Sequence, residues 1–232
     1  MGMVGDKMIA GIIQARNGSK RLPYKSIYPL GGKPLLYGFI ERAKRAKLID
    51  KLVLATTKNK EDDVLCVIAE DCGIDFFRGS TDDLIDRIYK CALYYGSDTI
   101  VRLCADNPLI EGEEIDRIIR RYNYSKPCNL LFSNTHNINN NGYPDGLGCE
   151  VYSRETFDWL DRTVSDSIHR EHPHKYFYEQ KMVETVECPT YMAGHSNLKL
   201  DVNTYKEYEY IRNIYNKFDD NNFHFTDYME VI

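Results

Sequence analysis

Ile12-Ile13-Gln14-Ala15-Arg16-Asn17-Gly18-Ser19-Lys20-Arg21-Leu22-Pro23-Tyr24-Lys25 is an apolar strand end that runs straight into a cationic turn. The apolar run from Met8 to Ile13 stops abruptly, and the loop after it gathers Arg16, Lys20, Arg21 and Lys25 around Gly18 and Ser19. α/β proteins present backbone N–H groups and positive charge to polyphosphate in this way, at the carboxyl end of a buried strand. A solvated basic loop would carry the same charges. Two details favour phosphate: the strand before the loop reads as buried, and Pro23 stiffens the turn.

Outward from this stretch, strand and helix alternate through the first 130 residues. Leu35, Leu36, Phe39, Ile40, Ala43 and Ala46 recur at helical spacing behind Pro34, a residue suited to a helix start. Lys51 to Thr56 reads as a buried strand. Asn59 is placed to cap a helix whose Val64, Leu65, Ile68 and Ala69 share a face and which Gly73 ends. Ile74 to Phe77 is a third strand, and Asp82-Asp83 open a helix that Gly96 closes. Thr99 to Cys104 is a fourth strand, followed by a helix from Glu111 to Tyr122. Continuous apolar strands between amphipathic helices predict a mostly parallel sheet covered on both faces, a three-layer α/β/α Rossmann-like fold. Ligands of such sheets collect outside the carboxyl ends of the strands. The polar clusters sit there: the basic loop, Arg78-Gly79-Ser80, and Ala105-Asp106-Asn107-Pro108.

The pattern changes after residue 133. Asn134 to Gly142 reads as a polar loop, or an arm that orders against a partner. Strands are expected at Gly148–Tyr152, Val183–Cys188 and Leu198–Leu200, with a helix around Trp159, a charged segment over Ser167–Gln180 and a closing helix over Tyr205–Phe218. There is no internal repeat.

The chain of 232 residues is sized for one domain, 1–232, with a small lobe within it at 134–195. A formal charge of -5 argues against a nucleic-acid binder, which needs a broad basic face. No apolar run approaches the roughly 18 residues of a membrane span, and Met8–Ile13 is too short for a secretory signal. Met1 to Lys7 reads as a loose leader. The seven cysteines lack any CxxC pairing, which points to a reducing cytoplasm rather than a disulfide framework.

Asp106 and Asp201 carry the expected chemistry. Each follows a short apolar strand and precedes a helix. If both strands join the sheet, the carboxylates meet at its carboxyl edge. Two hard oxygen ligands, with positions left for water and phosphate oxygens, suit Mg²⁺. Either Asp alone would be read as a helix N-cap; two of them beside a phosphate loop favour the metal. These parts describe nucleotidyl transfer, which works by positioning and charge stabilisation and needs no dedicated nucleophile.

The segments Gln14 to Lys25, Pro29 to Leu35, Ala55-Thr56-Thr57 and Phe77 to Asp83 together resemble the cytidylyltransferases. So do Asp106 to Ile110, Pro144-Asp145-Gly146-Leu147 with Glu150-Val151, and Arg170-Glu171-His172. The likeness runs over essentially the whole chain. It is to the spore-coat polysaccharide (SpsF-like) type, cousins of the CMP-Kdo and CMP-sialic acid synthetases. The resemblance implies a nucleotidyltransferase fold and a CTP- and Mg²⁺-dependent enzyme that makes a CMP-activated acidic sugar and releases pyrophosphate. It implies phosphate contacts from Arg16 and Lys25, with Gly18 and Ser19 in the same loop. It sets Ala15 and Ser80, with Arg78, at the cytosine and Asp106 and Asp201 at the metal. It turns Asp145, Arg170 and His172 toward the acceptor, and it implies a homodimer joined through residues 134–195.

The chain departs from that pattern at Tyr24, where relatives carry Gly or another small or basic residue. Gly148 replaces an expected acid, and Pro173-His174 alters the segment after Arg170-Glu171-His172. Arg102 points from a strand end toward the crevice, to neutralise an acidic acceptor or to pair with a neighbouring acid. His169, His172 and His174 lack the spacing of a closed zinc site. Competing expectations are transfer to a sugar phosphate, a nucleotide-sugar glycosyltransferase, which would show a DxD motif that Asp106-Asn107-Pro108 is not, and a non-catalytic nucleotide sensor.

Overall fold

The computed structural model describes residues 7–125, 130–135 and 138–232. Most of the leader and Cys128, with part of the polar loop at 136–137, lie outside the described residues. In chain order the first half runs β1 (Ile9–Gln14), a short hairpin of β2 (Pro29–Leu30) and β3 (Lys33–Pro34), α1 (Leu35–Ala43), β4 (Lys51–Thr57), α2 (Asp63–Asp71), β5 (Asp75–Gly79), α3 (Leu84–Tyr95) and β6 (Thr99–Cys104). The second half runs α4 (Gly112–Ser125), β7 (Leu131–Ser133), β8 (Glu150–Ser153), α5 (Arg154–Thr163), α6 (Ser167–Glu171), α7 (Pro173–Glu179), β9 (Val183–Glu184), α8 (Tyr205–Tyr215) and α9 (Phe225–Met229).

Ala10 to Ile13 are buried on both sides, as befits the centre of a parallel sheet. The order is β5-β4-β1-β6-β8-β7-β9, with β5, β4, β1 and β6 parallel to one another, β8 antiparallel to both β6 and β7, and β9 parallel to β7. Helices cover both faces. Leu36, Phe39, Ile40, Leu65, Ile115 and Ile119 fill one side. Leu84, Ile85, Ile88, Phe157, Leu160 and Phe177 fill the other. A third cluster joins Leu30, Leu109, Leu200 and Val202 to Tyr208, Ile211, Phe225 and Tyr228 of the last two helices. Each fully buried aliphatic or aromatic side chain contributes roughly 1.5–3 kcal/mol.

The predicted elements of the first half are present. Asp83 caps α3 by accepting from the Asp86 N–H, and Gly96 ends it in the left-handed region at φ 70°. Asn59 differs: its side chain caps nothing and instead accepts from the Thr81 hydroxyl. Two strands expected in the second half are curtailed. Val183–Cys188 yields only β9, and Leu198–Leu200 stays outside the sheet, making a single bridge between Lys199 and Asp145. Gly146, at φ 91°, permits this approach: a Cβ there would sit 2.5 Å from the Asp201 nitrogen. The charged segment folds as α6 and α7, and α9 is an element the periodicity did not announce.

Candidate active site

The loop after β1 is held from below by a buried carboxylate. Asp62, fully buried, accepts from the Asn17 backbone N–H at 2.7 Å and from the Thr57 hydroxyl. The Asn17 side chain donates to the Glu61 carbonyl at 2.6 Å, so the turn between β4 and α2 holds the loop in place. Tyr24 takes φ 59°, the left-handed region. Glycine reaches that conformation freely, whereas an L-residue is strained by roughly 1–2 kcal/mol. Tyr24 is 46% exposed and is not among the residues that line the cleft above the loop.

Above the loop lies a cleft of about 480 Å³, within the range of small-molecule sites. Its walls come from the carboxyl ends of β1, β5 and β6, as the topology predicts, and from α6 and the chain after Asp201. Arg16, Lys20, Arg21, Lys25 and Arg87 face only Asp82, Asp106 and Glu171 among charged lining residues, a balance that favours an anionic ligand.

Lys25 reaches across the cleft floor. Its Nζ donates to Asp106 Oδ2 at 2.9 Å, to the Val202 carbonyl at 2.7 Å and to Asn203 Oδ1 at 3.1 Å. Asp106 and Asp201 therefore meet without the second strand joining the sheet. The link is the Val202 N–H, which donates to the Asp106 carbonyl at 2.7 Å. Asp201 is 8% exposed; its Oδ2 accepts from Asn203 and its Oδ1 is buried with no hydrogen-bond partner. Burial first, then the charge of Asp145 and, more weakly, Asp106, push the Asp201 carboxyl up to about 6, against the pull of Lys199. An orphaned carboxylate oxygen beside a second carboxylate is a donor set that suits a hard cation whose other ligands are water and phosphate. Among the described residues no group of three or more His, Cys, Asp or Glu side chains forms a fuller cage.

Arg16 donates to the Thr81 carbonyl at 2.9 Å and to Glu171 Oε1 at 2.5 Å, spanning the cleft from the loop to α6. Ala15 and Ser19 line the cleft, with Gly18 in the same turn. Arg78 does not line it. Its guanidinium bonds the Thr57 and Asn59 carbonyls at 2.8 and 2.7 Å and Asp63 at 2.5 Å, bracing β4 against α2. Ser80 does not line it either: its hydroxyl accepts from the Asp83 N–H at 3.2 Å in the loop before α3, and its neighbour Thr81 is the lining residue.

Of the residues expected to face the acceptor, His172 lines the cleft, and burial lowers its pKa. Asp145 lies against Lys199 beside Asp201. Arg170 is committed elsewhere, to Asp83 at 2.5 Å and Asp161 at 2.6 Å. Of the two readings for Arg102, the pairing with an acid is the one observed. It is 4% exposed and grips Glu150 in bidentate fashion, both contacts at 2.6 Å. Arg102 also donates to Gln14 Oε1 at 2.7 Å; a guanidinium only donates, so the Gln14 NH₂ is the end left for the cleft. His174 Nδ1 receives from Arg102 at 3.1 Å, and burial, with the Arg102 charge outweighing part of Glu150's, pushes His174 down to about 4. The altered Pro173-His174 thus completes a buried network. Gly148 has a steric reason as well: a Cβ there would strike the Asn134 carbonyl oxygen and the Thr135 Cα. Arg87, Asp62 and Asn203 are the functional neighbours that sequence reasoning passed over. Only Asn203 left a signal, two residues beyond Asp201.

The sequence profile of the cytidylyltransferases matches residues 10–226. The spore coat polysaccharide biosynthesis protein SpsF of Bacillus subtilis is 29% identical over 89% of this chain and 85% of its own length. A 3-deoxy-manno-octulosonate cytidylyltransferase of Anaeromyxobacter sp. (strain K) is 37% identical over 114 residues, 48% of this chain and 46% of that one. A solved cytidylyltransferase structure from Leptospira borgpetersenii superposes with a TM-score of 0.89 at 30% identity, covering 97% of this chain and 94% of the other. By these matches, over most of its length and with a cationic cleft at the carboxyl edge of its sheet, the chain belongs to the cytidylyltransferase family.

Proposed function

We propose that this protein transfers CMP from CTP to an acidic sugar of the 2-keto-3-deoxy type, for a surface polysaccharide or glycan, with release of pyrophosphate and with Mg²⁺ held by Asp106 and Asp201. CTP-dependent nucleotidyl transfer follows from family membership; the acceptor and the metal are the added steps. The observation that carries the metal is the buried Asp201 Oδ1, which has no hydrogen-bond partner and feels the charge of Asp106, the cleft-lining carboxylate bound to Lys25. Similarity to a 3-deoxy-manno-octulosonate cytidylyltransferase and to a polysaccharide biosynthesis protein supports an acidic sugar.

In this reading Arg16 and Lys25 hold the triphosphate, and Gln14 and His172 face the acceptor. An acceptor hydroxyl oxygen attacks the α-phosphorus, its proton is lost, and the bond to the β-phosphate oxygen breaks. When bound, the metal ion would neutralise charge on the phosphate oxygens. Lys25, fixed by three acceptors, adds charge to the same region without reorganising. The proposal includes a cytoplasmic homodimer joined through residues 134–195.

A pyrophosphate-release screen that crosses four nucleoside triphosphates with sugar acids and sugar 1-phosphates tests it. Turnover is expected with CTP, Mg²⁺ and a sugar acid together. Replacing both Asp106 and Asp201 by Ala should lower the rate by at least roughly 10²–10³-fold. Undiminished turnover by that variant would reject the metal assignment, and turnover with sugar 1-phosphates alone would reassign the acceptor.

A further inference from the structure

Three arginines of this fold are at most 4% exposed, and two of them have a carboxylate partner. Arg42 pairs with Glu111 at 2.9 Å, and Arg102 with Glu150 at 2.6 Å. Arg87, on α3, does not. Its Nη1 donates to the Ser80 carbonyl at 2.5 Å and reaches the Thr81 carbonyl at 3.4 Å, while its buried Nε meets no acceptor. Asp62, Asp82 and Asp83 are felt only from farther off, and among the described residues none of them forms an ion pair with it. A desolvated cation without an anion is costly to hold. Arg87 lines the cleft, so the missing partner can reach it from there.

Arg16 stands beside it. The Thr81 carbonyl that Arg87 touches also accepts from Arg16 Nη1, at 2.9 Å. The two guanidiniums thus converge on one carbonyl oxygen, and the one carboxylate paired with either is Glu171, on Arg16 at 2.5 Å. Burial, and next the Arg16 charge, push Arg87 down to about 10, so it remains a cation at neutral pH. Two cations share one acid.

We propose that Arg87 is a substrate-binding residue: with Arg16 it forms a two-guanidinium clamp for a phosphate group of CTP, and Glu171 competes with that phosphate for Arg16. Planar guanidinium forks suit phosphate oxygens, which return the acceptors and the charge that the buried side chain lacks. Arg87 is not part of the opening motif; it reaches the site because α3 packs under the loop after β5. The proposal rests on the CTP-dependent reading above.

Calorimetric titration of the full chain with CTP, cytidine and inorganic pyrophosphate separates the possibilities, with circular dichroism and melting curves as folding controls. Arg87→Gln should weaken CTP and pyrophosphate by about 10- to 100-fold, the range for a charged hydrogen bond, and leave cytidine unchanged. Arg87→Lys keeps the charge and one donor, and should lose about 10-fold if the Gln variant does not fold. Glu171→Gln leaves Arg87 untouched and should tighten pyrophosphate binding several-fold by removing the competitor. Unchanged CTP and pyrophosphate affinity in both Arg87 variants would overturn the clamp. So would a loss confined to cytidine, or one confined to the KM of an acidic acceptor, which would give Arg87 to the base or to a sugar carboxylate. A wild-type protein that bound pyrophosphate through Arg87 but not CTP would instead sink the functional reading and leave the clamp standing.

Discussion

Asp201 is held where its charge is least welcome. In the unfolded chain its proton leaves near the ordinary value of 3.8, and in the fold near 6. Between those pH values the native state binds the extra proton, so stability falls as pH climbs from about 4 to about 6 and is level above. The loss from this one group is roughly 2–3 kcal/mol. Asp201→Asn keeps an oxygen for Asn203 and removes the charge. It should raise the unfolding free energy at pH 7 in EDTA by roughly 2 kcal/mol, flatten the slope between pH 4 and 6, and abolish Mg²⁺-dependent turnover. Urea titrations at pH 4.5 and 7 check this; a parental slope in the variant would remove burial as the cause. A buried carboxylate that weakens the fold beside a second carboxylate marks a candidate site more firmly than its place in the sequence does. The same scale shows where the reading of residues ran short. Arg170 was expected to face the acceptor by its motif, and Arg102 was left between an acceptor and a neighbouring acid; both are taken by acids from distant segments. Nothing in the local sequence announces Glu150 or Asp161 as their partners.

At the scale of elements, α6 is the informative case. Five residues cannot stabilise a helix on their own, since nucleation is unfavourable and too few hydrogen bonds follow. Asp166 caps it by accepting from the His169 N–H at 3.0 Å. Arg170 then ties it down, bonding Asp83 at the start of α3, Asp161 of α5 and the Asp161 and Val164 carbonyls. This anchor sets Glu171 and His172 at the cleft. Arg170→Ala should therefore cost about 2 kcal/mol, within the range for partly buried charged hydrogen bonds. It should also raise amide hydrogen exchange across residues 167–179 ahead of the rest of the chain. Exchange that rises uniformly, or not at all, would deny the anchor. The parallel strands and their helices were legible because each carries its own period. The short strand β7 and the helix α9 were not, because segments of three and five residues take their conformation from what they pack against, and the strand expected at Val183–Cys188 shrinks to the two residues of β9.

Over the whole molecule, the carboxyl-terminal segment is stitched to the first half by Arg42. Fully buried on α1, it pairs with Glu111 and donates to the Ile110 and Phe223 carbonyls at 3.0 and 2.9 Å. His224 closes the group from the other side, 3.0 Å from Glu111. The same packing seats Leu200 and Val202 in the third apolar cluster, and with them the Asp201 backbone. Arg42→Met strands Glu111 in the interior and should cost about 3–5 kcal/mol. Melting should fall by roughly 10 °C or more in a domain of this size. Intact melting behaviour would mean that the segment is held by its apolar contacts alone.

Local information was enough for the layered α/β architecture, and it placed the cationic loop and Asp106 at the carboxyl ends of β1 and β6. Those depend on period, turn chemistry and strand ends, which are properties of neighbouring residues. How Asp201 reaches Asp106 from outside the sheet, and which arginines spend their charge on internal acids, depend on contacts between distant segments, such as Lys25 and Asn203, 178 residues apart. A guanidinium or a carboxylate carries the same chemistry wherever it stands in a chain. Folding determines what lies within 3 Å of it, and so which of its bonds remain to be made.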